Sequence, residues 1–246
     1  MKLLEHLKPK LKMPKFKVDE PLSPYLDDDP LLKNMNKSFC CGCIGKAGSG
    51  KTSLMVGLLS TPKKLKKVFH NIFVFMPNSS RDSMKNNVFD CLPEDQVFEG
   101  VSFENLAEVY ERLLENTNDE LKSLLVFDDV QSYLKKKEVE VNLLHIIANR
   151  RHLRTSIFII AQNYIKIPMD IRKSFGDMFL FNINKEEWDK VFEEGINISK
   201  DDFKDVLTQY KRIKNDEPNS FIYIHEYDTI FINWNEVIFD DEEHEE

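Results

Sequence analysis

Glycine is scarce in this chain: eight stand among 246 residues, about half of the roughly 7% usual in globular proteins. Arginine is scarcer, seven against 27 lysines. No apolar run reaches the roughly 18 residues of a membrane span, so no transmembrane segment is expected. The opening stretch MKLLEHLKPKLKMPKFKVDE is broken by charges and prolines before an apolar core forms, and does not read as a secretory signal. The four cysteines lack the paired spacing of a zinc site: Cys40, Cys41 and Cys43 crowd one segment and Cys91 stands alone. Strand alternation would put Cys40 and Cys41 on opposite faces, so the cluster reads as small buried residues in a reducing compartment. The six histidines form neither H-x-H nor H-E-x-x-H, and no metal held by protein ligands alone is expected. With 34 basic and 42 acidic residues the net charge is −8, which excludes a uniformly basic nucleic-acid coat. A composition 41% hydrophobic and 31% charged excludes fibrous and disordered classes.

What is present is concentrated. Gly42, Gly45, Gly48 and Gly50 place half the glycine supply within nine residues. Around them, segments of two periods alternate. Phe39–Ile44 reads as a buried strand before a glycine turn, Ser53–Leu59 as a helix and Ile72–Met76 as a strand closed by Pro77. The stretch 77–100 is polar, with turn signals. Phe103, Leu106, Ala107, Tyr110, Leu113 and Leu114 follow helical spacing on one face. Leu124–Phe127 is a strand ending in Asp128-Asp129. Val139, Leu143, Ile146 and Ile147 mark a helix, Ile157–Ala161 a strand ending in Gln162, and Met178–Phe181 another strand. Acidic helices follow at 185–194 and 200–212, then a strand pair at 221–225 and 229–233. Such alternation predicts an α/β fold, a mostly parallel central sheet flanked by helices. Residues 1–35 read as an arm, basic then acidic and proline-bearing, 36–236 as the domain, and 237–246 as an acidic tail.

Open parallel sheets bind ligands at the carboxyl ends of their strands. Three polar signals fall there. Gly45-Lys46-Ala47-Gly48-Ser49-Gly50-Lys51-Thr52 fits G-x-x-x-x-G-K-[ST] in full, after a strand and at the start of a helix. Glycines let backbone N–H groups curl around phosphate oxygens, and the helix that continues through Ser53 points its positive end at the same anion. Lys51 adds a charge able to reach the β- and γ-phosphates, and Thr52 offers a hydroxyl to Mg²⁺. Asp128 ends an apolar strand, the usual place of the carboxylate that holds the Mg²⁺ shell. Asp129 beside it can take a proton from a water attacking the γ-phosphate, which favours an ATP hydrolase over a kinase. Gln162 ends the next strand, where a neutral amide could contact the γ-phosphate. Arg150 and Arg151, with Arg154, form a local concentration of guanidinium, the group suited to charge on a transferring phosphate; Arg81 and Arg112 are further candidates.

These residues together resemble the FtsK–HerA superfamily of P-loop ATPases, and within it the genome-packaging ATPases of large double-stranded DNA viruses. The resemblance covers roughly 39–182 and is carried by Arg151-His152, by Gln162, and by Tyr164, Pro168, Ile171 and Arg172 after it. It implies a RecA-like fold with the Gln strand inserted between the phosphate-loop strand and the Asp strand. It implies ATP and Mg²⁺, a pentameric or hexameric ring around duplex DNA, and Arg151 completing the site of the next subunit. Arg150 stands where the family often has glycine, which leaves the finger open between the two arginines.

The expected function is thus an ATP-driven translocase that packages viral double-stranded DNA into a capsid, docked on capsid or inner membrane proteins. It would act in the host cytoplasm, in a virus factory or on the virion. An ATP-dependent assembly switch or scaffold, or a HerA-type helicase, stays open. A GTPase does not fit, since Asp128-Asp129-Val130-Gln131 lacks the glycine of D-x-x-G and no N-K-x-D occurs. Lys63, Lys64, Lys66 and Lys67, and Lys135, Lys136 and Lys137, are candidate pore-lining DNA contacts.

Overall fold

The structure is a computed structural model that describes residues 32–61, 65, 68–82 and 88–239. The first lysine cluster (63, 64, 66, 67), residues 1–31 of the arm and residues 240–246 of the tail lie outside the described residues. The elements are β1 (Cys40–Ile44), α1 (Lys51–Ser60), β2 (Asn71–Met76), α2 (Asn78–Asp82), β3 (Val97–Glu99), α3 (Phe103–Asn118), β4 (Ser123–Asp128) and α4 (Lys137–Asn149). They continue with β5 (Thr155–Ala161), α5 (Met169–Arg172), β6 (Asp177–Leu180), α6 (Lys185–Gly195), α7 (Lys200–Asp216), β7 (Ile222–His225), β8 (Thr229–Ile232) and β9 (Asn235–Glu236).

One nine-stranded sheet runs in the order β3-β2-β4-β5-β1-β6-β7-β8-β9. The pairs from β3 to β6 are parallel, and β7, β8 and β9 close the sheet antiparallel. The Gln strand β5 lies between the phosphate-loop strand β1 and the Asp strand β4. Period-two alternation splits the core into two layers. Phe73, Phe75, Leu125, Phe127, Ile157 and Ile159 face the layer covered by α3, α4, α6 and α7. Val74, Met76, Leu124, Val126, Phe158 and Ile160 face the layer under α1. Cys40 falls in the first layer and Cys41 and Cys43 in the second, all buried, while Cys91 is exposed. Burial pushes the Cys40 thiol up to about 12 and raises Cys41 and Cys43 well above the usual thiol range, so these are inert packing groups rather than thiolates.

Three features differ from the sequence pattern. The polar stretch 77–100 contains α2 and the edge strand β3, whose three residues pair with Val74–Met76. In α3 the buried stripe is Leu106, Val109 and Leu113, whereas Phe103 and Leu114, placed on that face by spacing, are 45% and 39% exposed. Phe103 sits in the first turn and Leu114 is about 100° around the helix from Leu113. At the domain edges, Leu32 and Met35 are fully buried, and Val237 and Phe239 pack against the core, with Val237 N–H donating to Ile230 O. No helix among the described residues is long and apolar enough to cross a membrane.

Candidate functional site

The loop between β1 and α1 closes around its own backbone. Gly45 N–H donates to Ala161 O at the end of β5, 3.1 Å away, and Ser49 N–H donates to Lys46 O over 3.2 Å. Gly48 and Gly50 take φ of 73° and 101°, a region costly for residues with a Cβ. Gly45 is required by a close approach instead, since a Cβ there would lie 2.6 Å from Phe181 Cβ. Lys51 is buried, and its ammonium donates to Lys46 O over 2.9 Å, which holds the charge inside the loop. Burial lowers its pKa. Among the described residues, Ser49 Oγ is the buried side-chain polar atom without a hydrogen-bond partner. It lies within the same loop, 2.9 Å from the position of a Gly45 Cβ.

Parallel pairing of β4 and β5 brings the acids and the amide to this loop. Thr52 Oγ1 donates to Asp128 Oδ2 over 3.2 Å, across 76 residues of sequence. Burial pushes the Asp128 carboxyl up to about 6, and the neighbouring Asp129 adds to this against the Thr52 hydrogen bond and the Lys51 charge. Asp129 takes a positive φ of 55°, a turn that sends its carboxylate toward β5. There Gln162 Nε2 donates to Asp129 Oδ1 over 2.9 Å. Gln162 N–H in turn donates to Gln131 Oε1 over 3.1 Å. Ala47, Gly48, Lys51, Thr52, Asp128, Asp129 and Gln162 therefore line one cleft of about 270 Å³, with Ser80 from α2 on its wall. Lys46, Ser49 and Gly50 complete the loop behind it, and Ser53 is exposed on the first turn of α1.

Ser80 and Gln131 escaped the sequence reading. Both follow carboxyl ends of strands, β2 and β4, so the strand-end rule could have found them. The arginines lie elsewhere. Arg150 donates to Ser38 O and Ile147 O of its own chain. Arg112 donates to Asp95 and lies over the Phe73 ring. Arg151 is exposed at the amino end of β5. The seven residues of that strand separate it by about 23 Å from Gln162. Arg81 follows Ser80 in α2 and is half-buried.

Arg172, part of the stretch that carries the family resemblance, is a strut. Its guanidinium makes two bonds of 2.9 and 2.7 Å to Glu194 and donates to Ile165 O and Ile167 O. Glu187, buried at the start of α6, accepts from Tyr164 N–H over 2.8 Å. Glu187 and Glu194 of α6 thus fix the loop that leaves Gln162.

The arrangement has the parts for phosphoryl transfer to water: a backbone cradle with a lysine, a hydroxyl and carboxylate pair, and a second carboxylate oriented by an amide. The Poxvirus A32 protein family matches residues 31–246. The DNA packaging proteins of vaccinia virus (strain Copenhagen) and variola virus are each 27% identical over 189 residues, spanning 76% of this chain and 68% of theirs. The genome packaging NTPase of Sulfolobus turreted icosahedral virus 2, in complex with ATPγS, superposes with a TM-score of 0.54. It is 15% identical and matches 82% of this chain and 100% of its own, a likeness of fold.

Proposed function

The chain belongs to the Poxvirus A32 protein family, and on that footing we propose that it is the ATP-hydrolysing motor that drives viral double-stranded DNA into a capsid. The observation that carries this reading is the convergence of Lys51, Thr52, Asp128, Asp129 and Gln162 on one cleft. The curated relatives are DNA packaging proteins, which supplies the substrate for the work.

In this reading the loop from Gly45 to Ser53 binds the triphosphate of ATP, and Lys51 turns its ammonium to the β- and γ-phosphates. Thr52 Oγ1 and Asp128 Oδ2 are hard oxygen donors set side by side, and a buried carboxyl with a raised pKa gains from a cation beside it. These two residues would hold Mg²⁺, which supplies charge neutralisation on the phosphate oxygens. Asp129 orients the attacking water and accepts its proton. Gln162 holds that carboxylate in place and lies where a γ-phosphate would be felt. Arg151, about a strand length from its own cleft, serves as a finger only toward a neighbouring subunit, which fits a ring. Lys135 and Lys136, before α4, and Lys137, its first residue, are exposed on the cleft side of the sheet, and are the proposed contacts to DNA phosphates.

Movement is tested by displacement of a third strand from a triplex on duplex DNA. ATP-dependent loss of that strand is expected. ATP turnover with the triplex left intact would favour an assembly switch over a translocase.

A further inference from the structure

A second cleft, of about 330 Å³, opens on the same edge of the sheet and is lined by Glu217, Pro218, Asn219, Phe221, Asn233 and Trp234. It abuts the phosphate loop. A Cβ on Gly50 would lie 3.5 Å from Asn219 Cβ. On the other flank, Phe181 touches Gly45, its ring centroid lies 5.6 Å from that of Phe221, and Phe221 lies 5.8 Å from Trp234. An aromatic path thus leads from the loop into the cleft. Strands β6, β7 and β8 carry it outward from β1, three intervals or about 14 Å at the usual strand spacing. That separation falls within the length of an extended nucleoside triphosphate.

Trp234 is 40% exposed, yet its turn is braced. Asn233 N–H donates to Phe221 O and Asn233 Oδ1 accepts from Phe221 N–H. Asn233 Nδ2 donates to Glu217 Oε2 over 2.9 Å and to Ser220 Oγ over 3.2 Å. Trp234 meets Phe221 at 89°, so Phe221 does not cover the indole by parallel stacking. A large, partly exposed aromatic on a braced turn, lining a cleft that abuts the phosphate cradle, matches a flat π-system at low ordering cost.

We propose that this cleft seats the base of the bound nucleotide, with Trp234 as its stacking platform and Asn219 as the wall between base and phosphates. The proposal rests on the nucleotide reading and deepens it, and the test separates the two. The full-length chain is titrated calorimetrically with ATP and, separately, with tripolyphosphate, which has the phosphates and no base. Trp234→Ala is expected to weaken ATP about 5- to 150-fold, the span of one base–aromatic stack, and to leave tripolyphosphate binding unchanged. Trp234→Phe should restore most of the ATP affinity. Equal ATP affinity in Trp234→Ala and the parent would overturn the base seat while the phosphate-loop reading stands. Equal loss for both ligands, without recovery in Trp234→Phe, would also overturn it and make Trp234 a structural residue. A parent chain that binds neither ligand would overturn the phosphate-loop reading and the seat together.

Discussion

Gln162 and Asp129, 33 residues apart in sequence, are joined by a 2.9 Å hydrogen bond from Nε2 to Oδ1. The amide fixes the one acid of the cleft that is turned by a positive φ, so Asp129 is held rather than left to rotate. Asp129→Asn keeps an acceptor for Gln162 and loses the base. Turnover should fall about 10²- to 10⁴-fold, with ATP affinity unchanged. Single-turnover hydrolysis beside calorimetric binding checks this; affinity lost in proportion to rate would make Asp129 a binding residue.

The Asp128 carboxyl, raised by burial to about 6 from an ordinary 3.8, gives a signed pH prediction. Between those values the folded chain binds more protons than the unfolded chain. The stability from this group is therefore complete below about 3.8 and is lost as pH rises through about 6, up to roughly 3 kcal/mol. Asp128→Asn should raise the denaturation midpoint at pH 8 and leave it nearly unchanged at pH 4. Urea unfolding at both pH values checks the sign; an equal effect at both would contradict it.

Arg172 and Glu194 are each 7% exposed and paired through two bonds. Removing one partner leaves a buried charge, so Arg172→Ala should cost about 3–5 kcal/mol in urea unfolding. Lysine cannot reproduce the paired geometry and should recover little. Unchanged stability with lost turnover would instead move Arg172 into the reaction.

Arg151 is exposed on the far end of β5 from its own cleft. Mixing Arg151→Ala subunits with Lys51→Ala subunits should restore part of the ATP turnover that each lacks alone. No recovery at any ratio, in assemblies shown by mass spectrometry to mix, would remove the trans role.

Those residues were legible to very different degrees. The phosphate loop, the Asp pair and Gln162 are dense local patterns at strand ends, and the apolar runs before them fix the parallel sheet. Tertiary partners supplied the rest. β3 is three residues long and exists through its pairing with β2; its own sequence is too polar to announce it. The place of Arg172 depends on Glu194, 22 residues away, with no spacing rule to link them. Gln131 carries no motif of its own; the β4–β5 register is what sets its amide oxygen against the Gln162 backbone. Arg150 and Arg151 were indistinguishable as neighbours in sequence; the bond from Arg150 to Ser38 O separates them.

Coupling of ATP hydrolysis to duplex DNA is read from the hydrolysis rate of a size-resolved sample with and without duplex DNA. The rate should rise with DNA, fall back as salt screens the contacts, and vanish in Lys51→Ala. Replacing Lys135, Lys136 and Lys137 with alanine should remove the stimulation and spare the basal rate. A basal rate that ignores duplex DNA at every salt concentration, in an assembly that hydrolyses ATP, would contradict it.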